Sequence, residues 1–493
     1  MTRGLLFDLY GTLIEIGDAV FQESLPGLEG ISRREWVEFQ RDTLLVRPFA
    51  SREAFVGAIF ERFGGSSPEL AERLLDLLGR ELESVRPMPG ARSVLAFLDR
   101  RGMKLGLITN SASPYREPLD RLGLAETFDR IVFSCDSGAR KPAPSLYLGA
   151  LEALGLEADE TLMVGDSLAN DVRAPEAIGV RGLLVGASAR ARAIPRLSDL
   201  GWIDLETLAP LVPEGMAVEL DGVRGRLVGL EPLDDEDQGR YNLVARARWL
   251  SAEGSAREIF LKRFLLPDSI EVERTVADLV EICGVSACAT AVVRGGAEPV
   301  LAISAAPGVK LEGARPDTPY AREVGRHAAL AYIFANADLR PRNAFLAGEG
   351  ETSTMTMVDY EHCLLNLAID LDGVADPLDR DGFEALGRDE LERRVARRVL
   401  ADAHMRRAYR AFLGPHAKDP GLARAFRSGW LAVHRRAQER RGEIVERLEA
   451  RLAANPPLVV GTHAYRRAFL RLDLEDLLTR LDEDPDRACS RCS

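Results

Sequence analysis

Residues 4–13, GLLFDLYGTL, place Asp8 directly after a short apolar run. Two later apolar runs end in the same way, KLGLI before Thr109 and TLMVG before Asp166. Continuous apolar runs of this length, separated by helical patterns, are typical of parallel strands that are buried on both faces. Because the carboxyl ends of parallel strands meet at one edge of a sheet, the pattern predicts an α/β fold with its functional site at that edge.

Four segments form a set of motifs: FDLYGTL (7–13), LITNS (107–111), ARKPAPSLY (139–147) and GDSLANDV (165–172). In their order and spacing the four segments resemble the motifs of the haloacid-dehalogenase-like (HAD) hydrolases. The resemblance covers residues 1–212 and implies a Rossmann-like parallel sheet. Residues from about 15 to 88 read as amphipathic helices and resemble the helical cap that closes over the substrate in many members of this family.

The resemblance assigns a role to each motif residue. Asp8 is implied to be a carboxylate nucleophile that forms an acyl-phosphate, which water then hydrolyses. Thr109 and Lys141 are implied to hold the phosphoryl oxygens. Mg²⁺ is implied to be bound by Asp8 and Asp166, with Asp171 supporting the metal or Lys141.

Tyr10 departs from the family pattern, and we include it among the candidate catalytic residues. Phosphatases that this chain resembles usually carry at that position an Asp that protonates the leaving group, whereas haloacid dehalogenases carry Tyr. GDSLANDV nevertheless keeps both aspartates of the metal-binding form, Asp166 and Asp171. Three hypotheses stay open for this module: a slow or substrate-assisted phosphohydrolase, a dehalogenase, and a catalytically silent binding or structural domain.

A linker, LETLAPLVPEG (205–215), leads to a second module at residues 213–493. There the pattern changes to antiparallel strands, which we assign to VRGRLVGL, YNLVARARWL and REIFLKRFL. The last of these places Lys262 among apolar residues, where a lysine needs an acidic partner. The helical pattern that follows offers Glu271 and Glu273 as that partner.

The second module resembles the protein-kinase-like fold, closest to its atypical, aminoglycoside-phosphotransferase-like branches. ADLRPRN (337–343) has the Asp–Asn separation of the kinase catalytic loop, and VDYEH (358–362) follows at the end of an apolar strand. The resemblance implies an α+β bilobal domain that binds ATP and Mg²⁺. Lys262 is implied to hold the ATP phosphates, oriented by Glu273 or Glu271. Three further roles are implied: the catalytic base Asp338 and the Mg²⁺ ligands Asn343 and Asp359.

Two stretches of the second module depart from the kinase pattern, and a third is expected to extend the domain. Asn336-Ala337 stand where relatives often have His-Gly, and the loop EPLDDEDQGRY (231–241) is acidic with one glycine. Phosphate-covering loops are ordinarily rich in glycine because their amides must approach the anion, so we expect the nucleotide to bind differently or with extra metal. Residues 366–480 are expected to form a helical extension whose arginines are solvated and paired with glutamates.

The composition is that of a folded soluble protein, and we expect it to be cytoplasmic. The 493 residues predict two or three domains, and 46% hydrophobic with 29% charged residues excludes a largely disordered chain. No apolar run has the length of a membrane span. The net charge of −13 disfavours non-specific binding to nucleic acid. Six scattered cysteines suit a reducing compartment, and the CxxC of Cys489 and Cys492 is expected to lie in a loose tail.

These observations predict a bifunctional enzyme that processes phosphate groups. An ATP-dependent kinase would act on a hydroxyl acceptor, and an Mg²⁺-dependent phosphohydrolase would act on the same or a related compound. A small molecule is the expected substrate, and no membrane is involved. Two alternatives stay open: a nucleotide or phosphometabolite sensor with one or both modules silent, and a kinase–phosphatase that acts on a protein or on nucleic-acid ends.

Overall fold

The chain folds into two compact units. A computed structural model describes residues 1–24, 31–65, 67–188, 191–238, 242–265, 269–311, 317–336, 339–360, 363, 367–370, 402–452, 467–470 and 474–492. Unit 1 comprises Met1–Leu211 with Pro232–Leu243, and unit 2 comprises Val212–Glu231 with Val244–Ser493. The segment Pro232–Leu243 thus belongs to unit 1, although unit 2 flanks it in the chain.

Unit 1 contains a parallel sheet. Its strands are β1 (Gly4–Phe7), β2 (Ile14–Glu15), β3 (Arg86–Pro87), β4 (Lys104–Thr109), β5 (Arg130–Phe133), β6 (Thr161–Gly165), β7 (Arg181–Val185) and β8 (Ala193–Ile194). Six of them form the sheet in the order β5-β4-β1-β6-β7-β8, with every neighbouring pair parallel. Phe7 lies between Leu107 and Val164 in register, so the residues after β1, β4 and β6 meet at one edge. The predicted Rossmann-like parallel sheet is confirmed.

The helices of unit 1 fall into two groups. They are α1 (Val20–Ser24), α2 (Arg33–Phe39), α3 (Arg52–Phe63), α4 (Pro68–Glu83), α5 (Ala91–Arg100), α6 (Glu117–Arg121), α7 (Ser134–Ser137), α8 (Pro144–Leu154) and α9 (Ala174–Glu176). The first four lie between β2 and β3, which pair antiparallel, and they share an apolar cluster that includes Trp36 and Phe55. Ser32, Ser51 and Ser67 begin α2, α3 and α4 as N-caps, each accepting a backbone N–H bond. These helices occupy the stretch for which a cap is predicted.

The acidic loop after residue 232 belongs to unit 1 and caps one of its helices. Helix α5 begins after Gly90, which has no side chain to accept a hydrogen bond. Asp235 takes that place, since its Oδ1 accepts from the backbone N–H of Ser93 at 2.9 Å and it also contacts the Ser93 hydroxyl. The carboxylate thus lies at the positive end of the helix dipole. A helix-capping role was not predicted for this loop.

A second sheet of six strands is formed mainly by residues of unit 2. The strands that follow β8 are β9 (Met216–Leu220), β10 (Val223–Pro232), β11 (Leu243–Ser251), β12 (Ala256–Arg263), β13 (Thr290–Val293), β14 (Val300–Ser304), β15 (Val309–Lys310), β16 (Ala344–Ala347), β17 (Thr354–Met357), β18 (Leu367–Asp370) and β19 (Arg467–Leu470). The sheet order is β13-β14-β12-β11-β10-β9, and β15-β16-β17 form a smaller sheet. Three of the predicted strands correspond to β10, β11 and β12, whereas β9 and β13 were not predicted.

The helices of unit 2 pack around one large apolar cluster. They are α10 (Ser269–Ile282), α11 (Thr318–Ile333), α12 (Asp402–Leu413), α13 (Pro420–Glu439), α14 (Arg441–Leu452), α15 (Leu474–Asp482) and α16 (Pro485–Cys492). Helices α11 and α13 approach closely because a glycine lies at each contact: a Cβ on Gly325 would meet the carbonyl oxygen of Phe426 at 2.0 Å. Within the described ranges, no helix combines the length and apolar composition of a membrane span.

Two expectations for the C-terminal residues are wrong. The stretch 366–480 is not helical throughout, because β18 and β19 pair antiparallel within it and thereby satisfy each other's backbone groups. The CxxC does not lie in a loose tail. Cys489 and Cys492 lie in α16 and are each 1% exposed, since residues three apart share one helix face, and this face packs on the apolar cluster. Among the described arginines, Arg427 and Arg441 do pair with acidic groups, Asp486 and Asp482.

Candidate active site

Four charged side chains converge at the carboxyl edge of the unit 1 sheet. Asp8 follows β1, Asp166 follows β6, Asp171 lies in the π-helical turn Leu168–Arg173, and Lys141 lies shortly before α8. Nζ of Lys141 lies 2.6 Å from Oδ1 of Asp8 and 2.7 Å from Oδ1 of Asp171. The Lys141 and Asp171 side chains are 2% and 0% exposed, and that of Asp8 is 12% exposed. One buried ammonium group therefore bridges two carboxylates.

Burial and charge act in opposite directions on these groups. Burial disfavours the Lys141 ammonium, but the Asp8 and Asp171 carboxylates outweigh this effect and raise the Lys141 pKa. Burial raises the pKa of the Asp171 carboxyl, against the lowering effect of Lys141. Burial, together with the Asp8 charge, also raises the pKa of Asp166. A further positive charge at this site would stabilise the ionised forms of Asp166 and Asp171, whose pKa values are raised.

The same carboxylates fit a divalent cation. One oxygen each from Asp8, Asp166 and Asp171 lie within 4.8 Å of one another. Two glycines make room for them: a Cβ on Gly11 would meet Oδ2 of Asp166 at 2.3 Å, and one on Gly165 would meet Cγ of Asp171 at 2.3 Å. Carboxylate oxygens are the ligands that Mg²⁺ prefers in proteins. The donor set is therefore compatible with the predicted Mg²⁺.

Neighbouring polar residues position Thr109 and Lys141. The Asn110 side chain accepts from the Lys141 N–H at 2.7 Å and donates to the Lys141 carbonyl at 3.0 Å, so it holds that backbone at two points. The hydroxyls of Thr109 and Ser111 lie 2.7 Å apart, and the Ser111 N–H donates to Ser134 Oγ at 3.1 Å. Asn110, Ser111 and Ser134 had no predicted role. The polar residues directly after β4 and β5 were the signal that could have found them.

Comparison with known proteins identifies the family. Residues 2–179 match the model of the haloacid dehalogenase-like hydrolases. The phosphoserine phosphatase of Thermus thermophilus is 36% identical over 183 residues, which cover 37% of this chain and 68% of that protein. The chain belongs to the haloacid dehalogenase-like hydrolase family. The phosphoglycolate phosphatase of Rhodospirillum rubrum is 30% identical, over 41% of this HAD chain and 88% of its own length. A solved HAD phosphatase from Thermococcus onnurineus is 26% identical, covers 40% of this chain and 96% of its own, and has a TM-score of 0.31.

In this HAD hydrolase, the side chain of Tyr10 contacts the helices between β2 and β3 as well as the sheet. Its hydroxyl donates to the carbonyl oxygen of Tyr115 at 2.9 Å, and the two rings meet edge to face with centroids 5.8 Å apart. Burial, with a smaller contribution from the Glu81 charge, raises the Tyr10 pKa far above its ordinary value. The hydroxyl is therefore a weak acid with an established hydrogen-bond partner.

A buried glutamate that sequence reasoning missed completes this network. Glu81, on α4, is fully buried. Its Oε1 accepts from the Tyr115 hydroxyl at 2.5 Å, and its Oε2 accepts from the backbone N–H groups of Phe21 and Gln22 at 2.8 and 3.0 Å. One carboxylate thereby joins α4, the start of α1 and the segment after β4. Its position among the leucines of α4 was a signal in the sequence.

Unit 2 brings together three of its predicted site residues. Nζ of Lys262, on β12, lies 3.0 Å from Oε2 of Glu273, on α10, and also contacts Oδ1 of Asp359. The Lys262 and Glu273 side chains are 8% and 4% exposed. The predicted alternative, Glu271, instead contacts Arg274. The geometry thus selects Glu273 as the partner of Lys262.

The other predicted kinase residues lie beside this group or outside the described residues. Asn343 is buried and its carbonyl accepts from the Val358 N–H at 2.9 Å, which places it against the strand that leads to Asp359. Asp359 has a φ of +74°, a left-handed conformation that is uncommon for a residue other than glycine and is often found at functional sites. Asp338 lies outside the described residues. The kinase resemblance, beyond residues 2–179, stays a prediction.

Proposed function

We propose that unit 1 hydrolyses the phosphate group of a small molecule through a covalent intermediate on Asp8. The observation that carries the proposal is the bridge of Lys141 between Asp8 and Asp171, beside the Asp166 carboxylate. A carboxylate oxygen, a buried ammonium and two further carboxylates at the end of one sheet support the roles of nucleophile, fixed positive charge and metal ligands. Membership of a hydrolase family whose matched relatives are phosphatases supports it.

Each residue in the proposal acts through its observed contacts. The Asp8 carboxylate attacks phosphorus, and the Lys141 ammonium neutralises charge on the phosphoryl oxygens. Thr109, in contact with Ser111, offers a hydroxyl to a phosphoryl oxygen. Mg²⁺ held by Asp8, Asp166 and Asp171 would supply a Lewis acid that neutralises phosphate charge.

The names of the relatives suggest a substrate of modest size. Phosphoserine and phosphoglycolate, which appear in the names of the two phosphatases, are small phosphorylated carboxylates. We extend only the size and the phosphate group to this chain, because a shared fold does not determine which substrate a site accepts.

Phosphate release from a pooled set of phosphorylated metabolites tests this function. The full-length protein with Mg²⁺ should release phosphate, and Asp8→Asn or Lys141→Met should lower kcat/KM by at least about 10³-fold. Lys104→Met is the matched control, because Lys104 begins β4 at the opposite edge of the sheet and contacts Asp129. Equal activity of Asp8→Asn and wild type would refute the proposal.

A second proposed function, transfer of phosphate from ATP by unit 2, is favoured by one specific observation. The Lys262–Glu273 ion pair is almost fully buried, and the Asp359 carboxylate reaches the same ammonium. The kinase resemblance predicts the pairing of Lys262 with Glu273, and Asp359, which it predicts as a Mg²⁺ ligand, lies beside the same ammonium.

Release of ADP from ATP and Mg²⁺, across pooled metabolite, peptide and oligonucleotide acceptors, tests this second function. Lys262→Met and Asp338→Ala should abolish the release. Lys310→Met is the control for Lys262→Met, because Lys310 is an exposed lysine on β15 of the same unit. ATP that raises the melting temperature without any release of ADP would instead favour the sensor alternative.

A further inference from the structure

The hydroxyl of Tyr10, two residues after Asp8, is engaged with the protein's own backbone. It donates to the Tyr115 carbonyl oxygen at 2.9 Å. A carbonyl oxygen has no proton to give in return, so this hydroxyl proton is not delivered to a bound substrate while the contact persists.

Further contacts fix the tyrosine pair in this arrangement. The Tyr10 and Tyr115 rings meet edge to face at an interplanar angle of 82°. The Tyr115 hydroxyl in turn donates to the fully buried Glu81, which also accepts from the N–H of Phe21. Rotation of Tyr10 toward Asp8 would break a hydrogen bond in a network whose other members are buried and polar, and such a change is costly.

Other polar groups of the site also have partners within the protein. Lys141 is held between two carboxylates. The Thr109 hydroxyl contacts that of Ser111. Asp166 and Asp171 offer the oxygens that fit a cation, and a cation binds carboxylates in their deprotonated form. Among the described residues, these contacts direct the hydroxyl proton of Tyr10 and two protons of Lys141 to oxygens of the protein.

We infer that the site acts on phosphates whose leaving group departs as a stable anion without a proton, and that acyl phosphates are the class that fits. The inference rests on the proposed phosphohydrolase function. An oxygen of Asp8 bonds to phosphorus while the bond to the leaving oxygen breaks, and that oxygen keeps the electron pair as a carboxylate. Water then bonds to phosphorus and the Asp8 carboxylate departs with its electrons. One proton of the water stays on the phosphate and the other passes to solvent.

A series of substrates that differ in the basicity of the leaving oxygen tests the inference. Acetyl phosphate, p-nitrophenyl phosphate, phosphoserine and phosphoglycolate are each assayed with the full-length protein and Mg²⁺. We expect kcat/KM to fall in that order of rising basicity. General acid catalysis contributes about 10²–10⁴-fold, so acetyl phosphate should exceed phosphoserine by at least about 10²-fold. Asp8→Asn should be inactive on all four, which assigns the activity to this site.

Two matched variants at position 10 measure the effect of a proton that can be donated to the leaving group. Tyr10→Asp and Tyr10→Asn both remove the ring and its contact with Tyr115, but only the aspartic acid carries a proton. We expect kcat/KM for phosphoserine to be about 10²-fold higher in Tyr10→Asp than in Tyr10→Asn, with acetyl phosphate showing much the same value in both variants. Should calorimetry show that neither variant folds, the wild-type series decides the inference.

The outcomes separate this inference from the function on which it rests. Wild-type hydrolysis of phosphoserine as fast as that of acetyl phosphate would overturn the inference and leave the proposed function standing. Equal phosphoserine activity in the folded Tyr10→Asp and Tyr10→Asn variants would also overturn it. An absence of phosphate release from all four substrates would overturn the proposed function and the inference together.

Discussion

The substitution Glu81→Ala should destabilise the helices between β2 and β3. Oε2 of the fully buried Glu81 accepts from the N–H groups of Phe21 and Gln22, and Oε1 accepts from the hydroxyl of Tyr115. Alanine would leave these donors without their acceptor. It would also remove a negative charge from the positive end of α1.

The expected magnitude follows from the number of donors that lose their partner. Each buried donor left unsatisfied costs about 1–3 kcal/mol, and the Phe21 N–H and the Tyr115 hydroxyl are both buried contacts. We therefore expect a loss of about 3 kcal/mol, which corresponds to a melting temperature lower by roughly 6–12 °C for a domain of about 200 residues. Glu81→Gln keeps one oxygen for the α1 amides but loses the charge, so about 1 kcal/mol and roughly 2–4 °C are expected.

Calorimetry of the full-length protein, with hydrogen exchange followed by mass spectrometry, measures both effects. The peptide that contains Phe21 and Gln22 should exchange faster in Glu81→Ala, because its amides have lost their acceptor. Glu72→Ala is the control, since Glu72 is exposed on the same helix. A melting temperature of Glu81→Ala that equals that of Glu72→Ala would refute the reasoning.

Three further predictions concern other contacts. Asp235→Ala should lower the stability of unit 1 by about 1 kcal/mol, because α5 loses its cap. Asp235→Asn keeps an oxygen that can accept the hydrogen bond and should retain most of that stability. Thermal melts compare the two variants, and an equal loss in both would contradict the capping role. Burial lowers the pKa of His327 below 6.5, so the unfolded chain takes up a proton that the folded chain does not, and unit 2 should lose stability as pH falls below about 6.5. Denaturant titrations at several pH values should show a smaller loss for His327→Gln, and an identical pH dependence would contradict the assignment. Gly325→Ala should cost about 1–3 kcal/mol in urea denaturation, because its Cβ would meet the Phe426 carbonyl. Gly442→Ala is the control and should be neutral or stabilising, because a Cβ at Gly442 has open space around it.

The parallel sheet of unit 1 was predictable because its signal is local. The three predicted strands, β1, β4 and β6, are apolar runs that lead to a polar residue, and the order β5-β4-β1-β6-β7-β8 brings their ends side by side. The proximity of Asp8, Thr109 and Asp166 could therefore be predicted from local sequence patterns alone. The short strands β18 and β19 carry no comparable signal, because each gains its ladder only from a partner about a hundred residues away in the chain.

The acidic loop shows why the partner of a charged residue is harder to predict than its burial. Asp235 accepts a hydrogen bond from the N–H of Ser93, which lies 142 residues away in the chain. Its sequence neighbours are acidic and polar, a pattern that indicates solvent exposure and led to an expectation about nucleotide binding. The sequence does show that Gly90 has no side chain to cap α5, but no pattern in the sequence links Gly90 to Asp235.

Helix periodicity does, however, identify which acidic residues are buried. On α10, Glu273 lies three and seven residues before Val276 and Val280, which are buried, so it shares their face. Glu271 does not, and it contacts Arg274 at the surface. The same rule applies to α4, where Glu81 lies three residues after the buried Leu78. A carboxylate within an apolar face must find donors or a cation, because an unpaired buried charge is unstable. The periodicity thus predicts that Glu81 and Glu273 each have partners, and only the fold determines that these are a tyrosine and two helix amides in one case and a lysine in the other.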